Sequence, residues 1–342
     1  MRLLILGGTR FLGRHLVEAA LARGDDVTIF TRGRQEHPWG ARVTALAGNR
    51  DPAIAPGLDA LAQGTWDAVV DTSGYVPRIV RASGELLAPR VGRYLFVSSL
   101  SVYSDTSAPG LTEAAPVGEL AEPETEEVAK HYGPLKVACE RALTQIYGER
   151  ATIVRPGLIV GPFDPTDRFA YWPARFVHPA LLGHRAPDAA VPAPPENPIQ
   201  FIDARDLADW MRELAAAGVG GTFNANSPRG RFTWDDLVRA CAAAGGPGAP
   251  HPAWIPESIL LDAKVEPWTG LPLWLPSTLP DVGGFMDFDC TKAQAAGLAV
   301  RPITQTVADT AAWLPTRDNA PAWKAVLTAD AEREILAAAR AA

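Results

Sequence analysis

Short apolar runs alternate with amphipathic stretches through the first third of the chain. Arg2–Leu6 and Val27–Phe30 read as strands, and between them Leu12, Leu16, Val17, Ala20 and Leu21 recur at helical spacing until Gly24 stops the pattern. That is a β-α-β unit. Further runs at Val43–Leu46, Ala68–Asp71, Tyr94–Ser98 and Thr152–Arg155 are almost unbroken in apolar character, as strands are when helices cover both faces of a parallel sheet. The pattern predicts an α/β chain with a doubly wound parallel sheet.

After Gly161 the rhythm changes. Prolines cluster from Pro187 to Pro198 and from Pro247 to Pro280, with Trp254, Trp268 and Trp274 among the latter. A smaller C-terminal substrate-binding domain is expected here. Gln200–Ile202, a helix starting near Asp206, and Thr222–Ala225 return to the earlier style. Residues 1–160 are therefore read as a dinucleotide-binding domain with return segments near 199–226, and residues 161–342 as mainly substrate-binding. Helical patterns at Thr304–Leu314 and from about Thr328 close the chain.

Composition narrows the function. Of 342 residues, 47% are hydrophobic and 21% charged, the proportions of a folded globular protein. A formal charge of −7 disfavours a nucleic-acid partner, whose phosphates call for clustered lysine and arginine. No apolar run reaches the roughly 18 residues of a membrane span, and the opening strand meets Gly7-Gly8 too soon for a signal-peptide core. A cytoplasmic location, away from membranes, is expected. Cys139, Cys241 and Cys290 have no C-x-x-C spacing, so neither a disulfide framework nor a metal site is expected.

Gly7-Gly8-Thr9-Arg10-Phe11-Leu12-Gly13 stands between the first strand and the first helix. A glycine-rich turn in that place lets backbone approach a pyrophosphate, which the helix N-terminus stabilises. This points to a Rossmann-type dinucleotide site, against a plain tight turn that binds nothing. Arg10 stands where a middle glycine is usual. The second strand ends Phe30-Thr31-Arg32-Gly33-Arg34, with arginine where an NAD ribose would meet a carboxylate. Arg32, with Arg10, offers charge-assisted bonds to a 2′-phosphate, so NADP(H) is favoured over NAD(H).

Tyr132 and Lys136 are four apart at the entrance to an amphipathic helix, on one face, with Pro134 tolerated in the first turn. An ammonium beside a phenol lowers the phenol's pKa and makes it a usable acid or base. Ser98-Ser99-Leu100-Ser101-Val102-Tyr103 follows an apolar strand, at the end of a parallel sheet where ligands bind.

These segments, together with Tyr132-Gly133-Pro134-Leu135-Lys136-Val137-Ala138-Cys139-Glu140 and Arg155-Pro156-Gly157-Leu158-Ile159-Val160-Gly161-Pro162, closely resemble the extended short-chain dehydrogenase/reductases, the NAD-dependent epimerase/dehydratase family. The glycine turn with Arg10 resembles an atypical branch. The resemblance implies a proton-transfer role for Tyr132, a ribose-holding and tuning role for Lys136, and a hydrogen bond from Ser99 to the reacting oxygen. It further implies cofactor contacts from Thr72-Ser73-Gly74, from Pro156, Gly157 and Leu158, and from Asn49, which lies where a family aspartate often meets the adenine. A homodimer through paired helices is also implied.

The family's sugar dehydratases resemble one another in carrying Asp-Glu directly after the active serine or threonine. Here Leu100 and Ser101 stand there, so sugar 4,6-dehydration is disfavoured. Two enzymatic readings remain, an oxidoreductase exchanging NADP(H) and a nucleotide-sugar epimerase that retains its nicotinamide. Arg32 tilts toward the first. A noncatalytic dinucleotide- or RNA-associated protein on the same scaffold is the alternative of another class. For the substrate, a nucleotide sugar or a small ketone or alcohol, the candidate contacts are Ser101, Arg168, Tyr171, Trp172 and Arg175, with Arg185 nearby.

Overall fold

The computed structural model describes residues 1–34, 36–317 and 322–342. Seven parallel strands form the main sheet: β1 (Arg2–Leu6), β2 (Asp26–Thr31), β3 (Val43–Ala47), β4 (Trp66–Asp71), β5 (Val91–Val97), β6 (Ala151–Pro156) and a seventh at Gly221–Ala225, in the spatial order seventh, β6, β5, β4, β1, β2, β3. The order reverses between β1 and β4, and such a switch point opens a crevice at the strands' carboxyl ends. Helix α1 (Phe11–Ala22) shares one face with the helix Ala204–Ala217; Leu16, Val17 and Ala20 pack there with Leu207, Trp210, Met211 and Leu214. On the other face lie α2 (Pro77–Leu87) and α3 (Val128–Tyr147). Unbroken apolar strands fit this burial from both sides, as in Leu3 to Leu6, all fully buried.

The return segment is divided differently from the sequence pattern. Phe201–Asp203 pairs with Leu158–Val160 in a separate two-stranded ribbon, and only Gly221–Ala225 joins the main sheet. The helix after it starts at Ala204, earlier than expected, because the Asp203 carboxylate accepts from the Arg205 backbone N–H and caps it there. The helix Trp234–Gly245 has no counterpart in the sequence reading; its signal was a reciprocal capping box between Thr233 and Asp236. The late helices span Ile303–Trp313 and Ala329–Ala341. Among the described residues no helix is long and apolar enough to cross a membrane.

A second core lies beyond the sheet. Tyr171, Trp172 and Phe176 pack there with Trp234, Leu237, Ile335 and Leu336. Glu332 fastens the last helix to it from inside: its carboxylate accepts from Arg175 Nε at 3.0 Å, from the Ala190 N–H at 3.1 Å and from His184 Nδ1 at 2.6 Å. Buried charges of this kind persist only when paired and hydrogen-bonded throughout.

Candidate active site

One cavity of about 980 Å³ runs across the carboxyl ends of β1, β2, β4 and β5 and on into the C-terminal region. At one end is the glycine turn. Gly7 and Gly8 have φ of 114° and 102°, which side-chain-bearing residues rarely adopt. A Cβ on Gly13 would sit 2.7 Å from the Gly8 nitrogen, so only glycine lets α1 close onto the turn. The N-terminus of α1 has no side-chain cap and no acidic residue in its first turn. Its free N–H groups and dipole suit a pyrophosphate, and the residues present therefore fit a dinucleotide. Thr9, Arg10, Phe11, Leu12, Arg32, Asn49, Thr72 and Ser73 line the same end.

Asn49 keeps its place by an Asx turn, its Oδ1 accepting from the Asp51 N–H at 3.0 Å. Beneath it Arg50 grips the fully buried Asp71 through two parallel bonds of 2.6 and 2.8 Å, and Tyr94 donates to the same carboxylate at 2.8 Å. This knot ties the ends of β3, β4 and β5 together under the cavity floor. Burial opposes both charges, and their mutual attraction nevertheless holds the Asp71 carboxyl below its ordinary range.

Ser99, Tyr132 and Lys136 meet at the middle of the cavity. Inside α3, His131 leaves the helical region at φ −123° and ψ 31°, so a fresh helical stretch begins at Tyr132 and Pro134 falls in its first turn. Gly133 faces the serine loop so closely that a Cβ there would lie 2.0 Å from the Ser101 carbonyl oxygen. Behind the contact, Arg155 bonds both oxygens of the Glu140 carboxylate at 3.0 and 2.6 Å, and the Ser98 hydroxyl donates to Glu140 as well. The residue just before Ser99 is thereby anchored to the helix that carries Tyr132 and Lys136.

The electrostatics differ from the sequence expectation at one point. Lys136 donates to the Gly74 carbonyl at 2.7 Å and the Val97 carbonyl at 2.6 Å, and burial pulls its pKa down to about 8. Neither bond reaches the Tyr132 phenol. Burial pushes that phenol's pKa up, and the neighbours opposing the rise are the Ser99 side chain and Arg168. Four-residue spacing put the ammonium and the phenol on one helix face, but the carbonyls of two distant strand ends capture the ammonium. Gly74 accordingly serves Lys136 through its backbone and does not line the cavity.

Pro156, Gly157 and Leu158 form the adjoining wall, where a Cβ on Gly157 would meet Asn226 Nδ2 at 2.1 Å. Ser101 and Arg168 line the far end. Tyr171, Trp172 and Arg175 do not. All three are fully buried in the second core, Arg175 against Glu332 and the Trp172 indole N–H on the Pro272 carbonyl at 3.1 Å. Their arginine-and-aromatic pattern marks a packed helix face. The sequence reading also missed Tyr75, Gln200, Asn226, Phe285 and Phe288. Gln200 clasps the Phe288 backbone as a strand would, donating to its carbonyl and accepting from its N–H, both at 2.9 Å. No local signal in the sequence announces that contact.

The model of the NAD dependent epimerase/dehydratase family matches residues 3–225. Chloroplast stem-loop binding protein of 41 kDa b from Arabidopsis thaliana is 27% identical over 268 residues, covering 72% of this chain and 63% of its own. The chain thus spans less than two thirds of that curated relative. Among solved structures, UDP-N-acetylglucosamine 4-epimerase from Bacillus cereus is similar over 92% of this chain and 99% of its own, at 16% identity and a TM-score of 0.64. WbmH from Bordetella bronchiseptica, solved with NAD+, is similar over 94% and 99%, at 19% identity and a TM-score of 0.62. At such identities the likeness carries the fold, which is the α/β doubly wound sheet seen here. With the family model matched over well over half its length, the chain belongs to the NAD dependent epimerase/dehydratase family.

Proposed function

We propose that this chain is an oxidoreductase that moves a hydride between a nicotinamide dinucleotide, NADP(H) in preference to NAD(H), and a hydroxyl or carbonyl carbon of a small molecule. The observation that carries the reading is the meeting of Ser99, Tyr132 and Lys136 in the same cavity as the Gly7–Gly13 turn. When bound, the dinucleotide supplies the carbon that gives or takes the hydride. Tyr132 holds or releases the proton of the reacting oxygen, and Ser99 hydrogen-bonds that oxygen and orients it. Lys136, fixed by two carbonyls, presents its remaining donor to the ribose. With its phenol held protonated by burial, Tyr132 is set to act as the acid, which suits reduction of a carbonyl. Ser101 and Arg168 contact the substrate.

Residues 31–34 line the cavity, contain two arginines and no carboxylate, and so favour a 2′-phosphate. Arg32→Ala is therefore expected to weaken NADPH about tenfold or more, the loss of one charge-assisted bond, and to leave NADH nearly unchanged. Fluorescence titration of both cofactors checks this. Parallel losses would remove the NADP preference, and binding of neither cofactor by the wild type would remove the oxidoreductase reading.

Epimerisation with a retained cofactor is the second reading, favoured by the 4-epimerase among the similar structures. It predicts a dinucleotide that co-purifies and no net consumption of NADPH. The name of the Arabidopsis relative supports an RNA-associated role, which a gel shift with a stem-loop RNA tests directly. The chain's −7 charge weighs against it. A homodimer through paired helices, one of them α3, in the cytoplasm, completes the proposal.

A further inference from the structure

The two ends of the cavity carry charge very differently. Arg10, Arg32, Arg34, Arg50 and Asp51 belong to the glycine turn and the ends of β2 and β3, and Lys136 is committed to two carbonyls. Past Tyr132, the described lining holds one charged side chain, Arg168, among Trp268, Phe285, Met286 and Phe288.

Arg168 is built in with some care. Its Nε donates to Thr166 Oγ1 at 3.3 Å, and the Thr166 hydroxyl donates in turn to Asp164 Oδ1 at 2.7 Å. Asp164 is 1% exposed, and its second oxygen has no hydrogen-bond partner. The carboxylate therefore acts on Arg168 only at a distance, through the threonine, and Arg168 forms no salt bridge among the described residues. Its guanidinium carbon lies 5.3 Å from the centre of the Trp268 ring. Trp268 has a φ of 68°, a left-handed backbone that a bulky residue adopts only where surrounding structure imposes it. Arg168 lines the cavity in a half-buried, aromatic setting, where a charge-assisted bond from its terminal nitrogens is strong. Arg168 and Tyr132 line the same cavity, so whatever Arg168 binds shares that cavity with the proton-transfer group.

We infer that the substrate is a compact, largely apolar molecule with a single anionic group, a carboxylate or a phosphate monoester, which Arg168 holds beside the carbon that reacts at Tyr132. The inference rests on the oxidoreductase reading of the same site. A nucleoside diphosphate brings two charged phosphates and asks for more than one cation. The other arginines from that part of the chain do not supply it: Arg175 is sealed against Glu332, and Arg185 is exposed and outside the cavity lining.

The test uses the intact protein saturated with NADP+, titrated calorimetrically with benzoate, phenyl phosphate, the neutral isostere benzamide and UDP-glucose. Wild type, Arg168→Ala and Arg168→Lys are compared, with thermal melts confirming that each variant is folded. One of the two anions, benzoate or phenyl phosphate, is expected to bind at least about tenfold more tightly than benzamide, the order expected for a charge-assisted bond. Which anion wins identifies the group. Arg168→Ala should erase the preference and Arg168→Lys retain part of it. Equal binding of benzamide, an unchanged preference in Arg168→Ala, tighter binding of UDP-glucose than of benzoate and phenyl phosphate, or no binding of any of the four would each overturn the inference. NADPH binding is measured separately. Its absence would sink the oxidoreductase reading, whereas the same anion titrations without cofactor would still report on Arg168.

Discussion

The cofactor end and the substrate end of the cavity are made of different material. At the cofactor end the arginine side chains of residues 31–34 and 50 stand beside a backbone cradle, in which Gly7, Gly8 and Gly13 clear space and the open N-terminus of α1 offers its N–H groups. That cradle is contiguous in sequence. The substrate end is made of side chains drawn from residues 165, 166, 168, 200, 226, 268, 285, 286 and 288, which are far apart along the chain. A backbone surface recognises what its ligands share, whereas a side-chain surface can be re-specified one residue at a time. The difference teaches where specificity resides, and it can be attacked at the centre and at each end.

The largest effect belongs to the centre. Tyr132→Phe removes one proton-transfer group and no contact to a phosphate. Turnover should fall by roughly 10²- to 10⁴-fold while cofactor affinity stays as it was. Steady-state rates set beside fluorescence titration check both halves, and a variant that keeps half its activity would take Tyr132 out of the chemistry.

Next comes Gly133→Ala, which tests whether the centre depends on backbone contact as the cofactor end does. The added Cβ would lie 2.0 Å from the Ser101 carbonyl oxygen, and neither partner is a flexible side chain. Overpacking of this kind costs about 1–3 kcal/mol, and the helix must shift to relieve it, carrying Tyr132 away from Ser99. Chemical denaturation should show the lost stability and turnover should drop with it. Unchanged values for both would show that the seam has slack.

The smallest effect is at the substrate end. Burial raises the Asp164 pKa to about 6 from an ordinary value of 3.8. The folded state thus takes up its proton before the unfolded chain does, so this group's contribution to stability is greatest below pH 3.8 and is lost as pH rises to about 6. Above that, the buried charge costs about 2–3 kcal/mol. Asp164→Asn keeps the acceptor for Thr166 and lacks the charge. It should match the wild type near pH 4 and exceed it in stability at pH 8, as read by melting temperature. Equal melting temperatures at both values would mean that Arg168 already compensates the carboxylate in full.

The same contrast explains how much was legible beforehand. Strand and helix periodicity, the glycine turn and the Ser-Tyr-Lys ordering are local, and each reads off a short window. The partners of Lys136 are not, since Gly74 and Val97 reach it only through the assembled sheet. In the stretch 168–175 the sequence offered two arginines beside two aromatic residues as one binding surface. The helix Tyr171–Val177 is buried all round from Tyr171 to Phe176, so Tyr171, Trp172 and Arg175 lie inside while Arg168, just before the helix, lines the cavity. The Gln200 clasp on Phe288 joins residues 88 apart and has no periodicity to betray it.

The late return of the chain to its first sheet has a consequence for how the molecule can be divided. The helix Ala204–Ala217 covers α1, and Gly221–Ala225 forms the sheet's outer strand, yet both are reached only after the polypeptide has contributed to the second core. No single scission point separates the main sheet with its covering helices from the remainder with both interiors intact. Exchanging the specificity half between relatives would therefore require two junctions, one on either side of the returning segment.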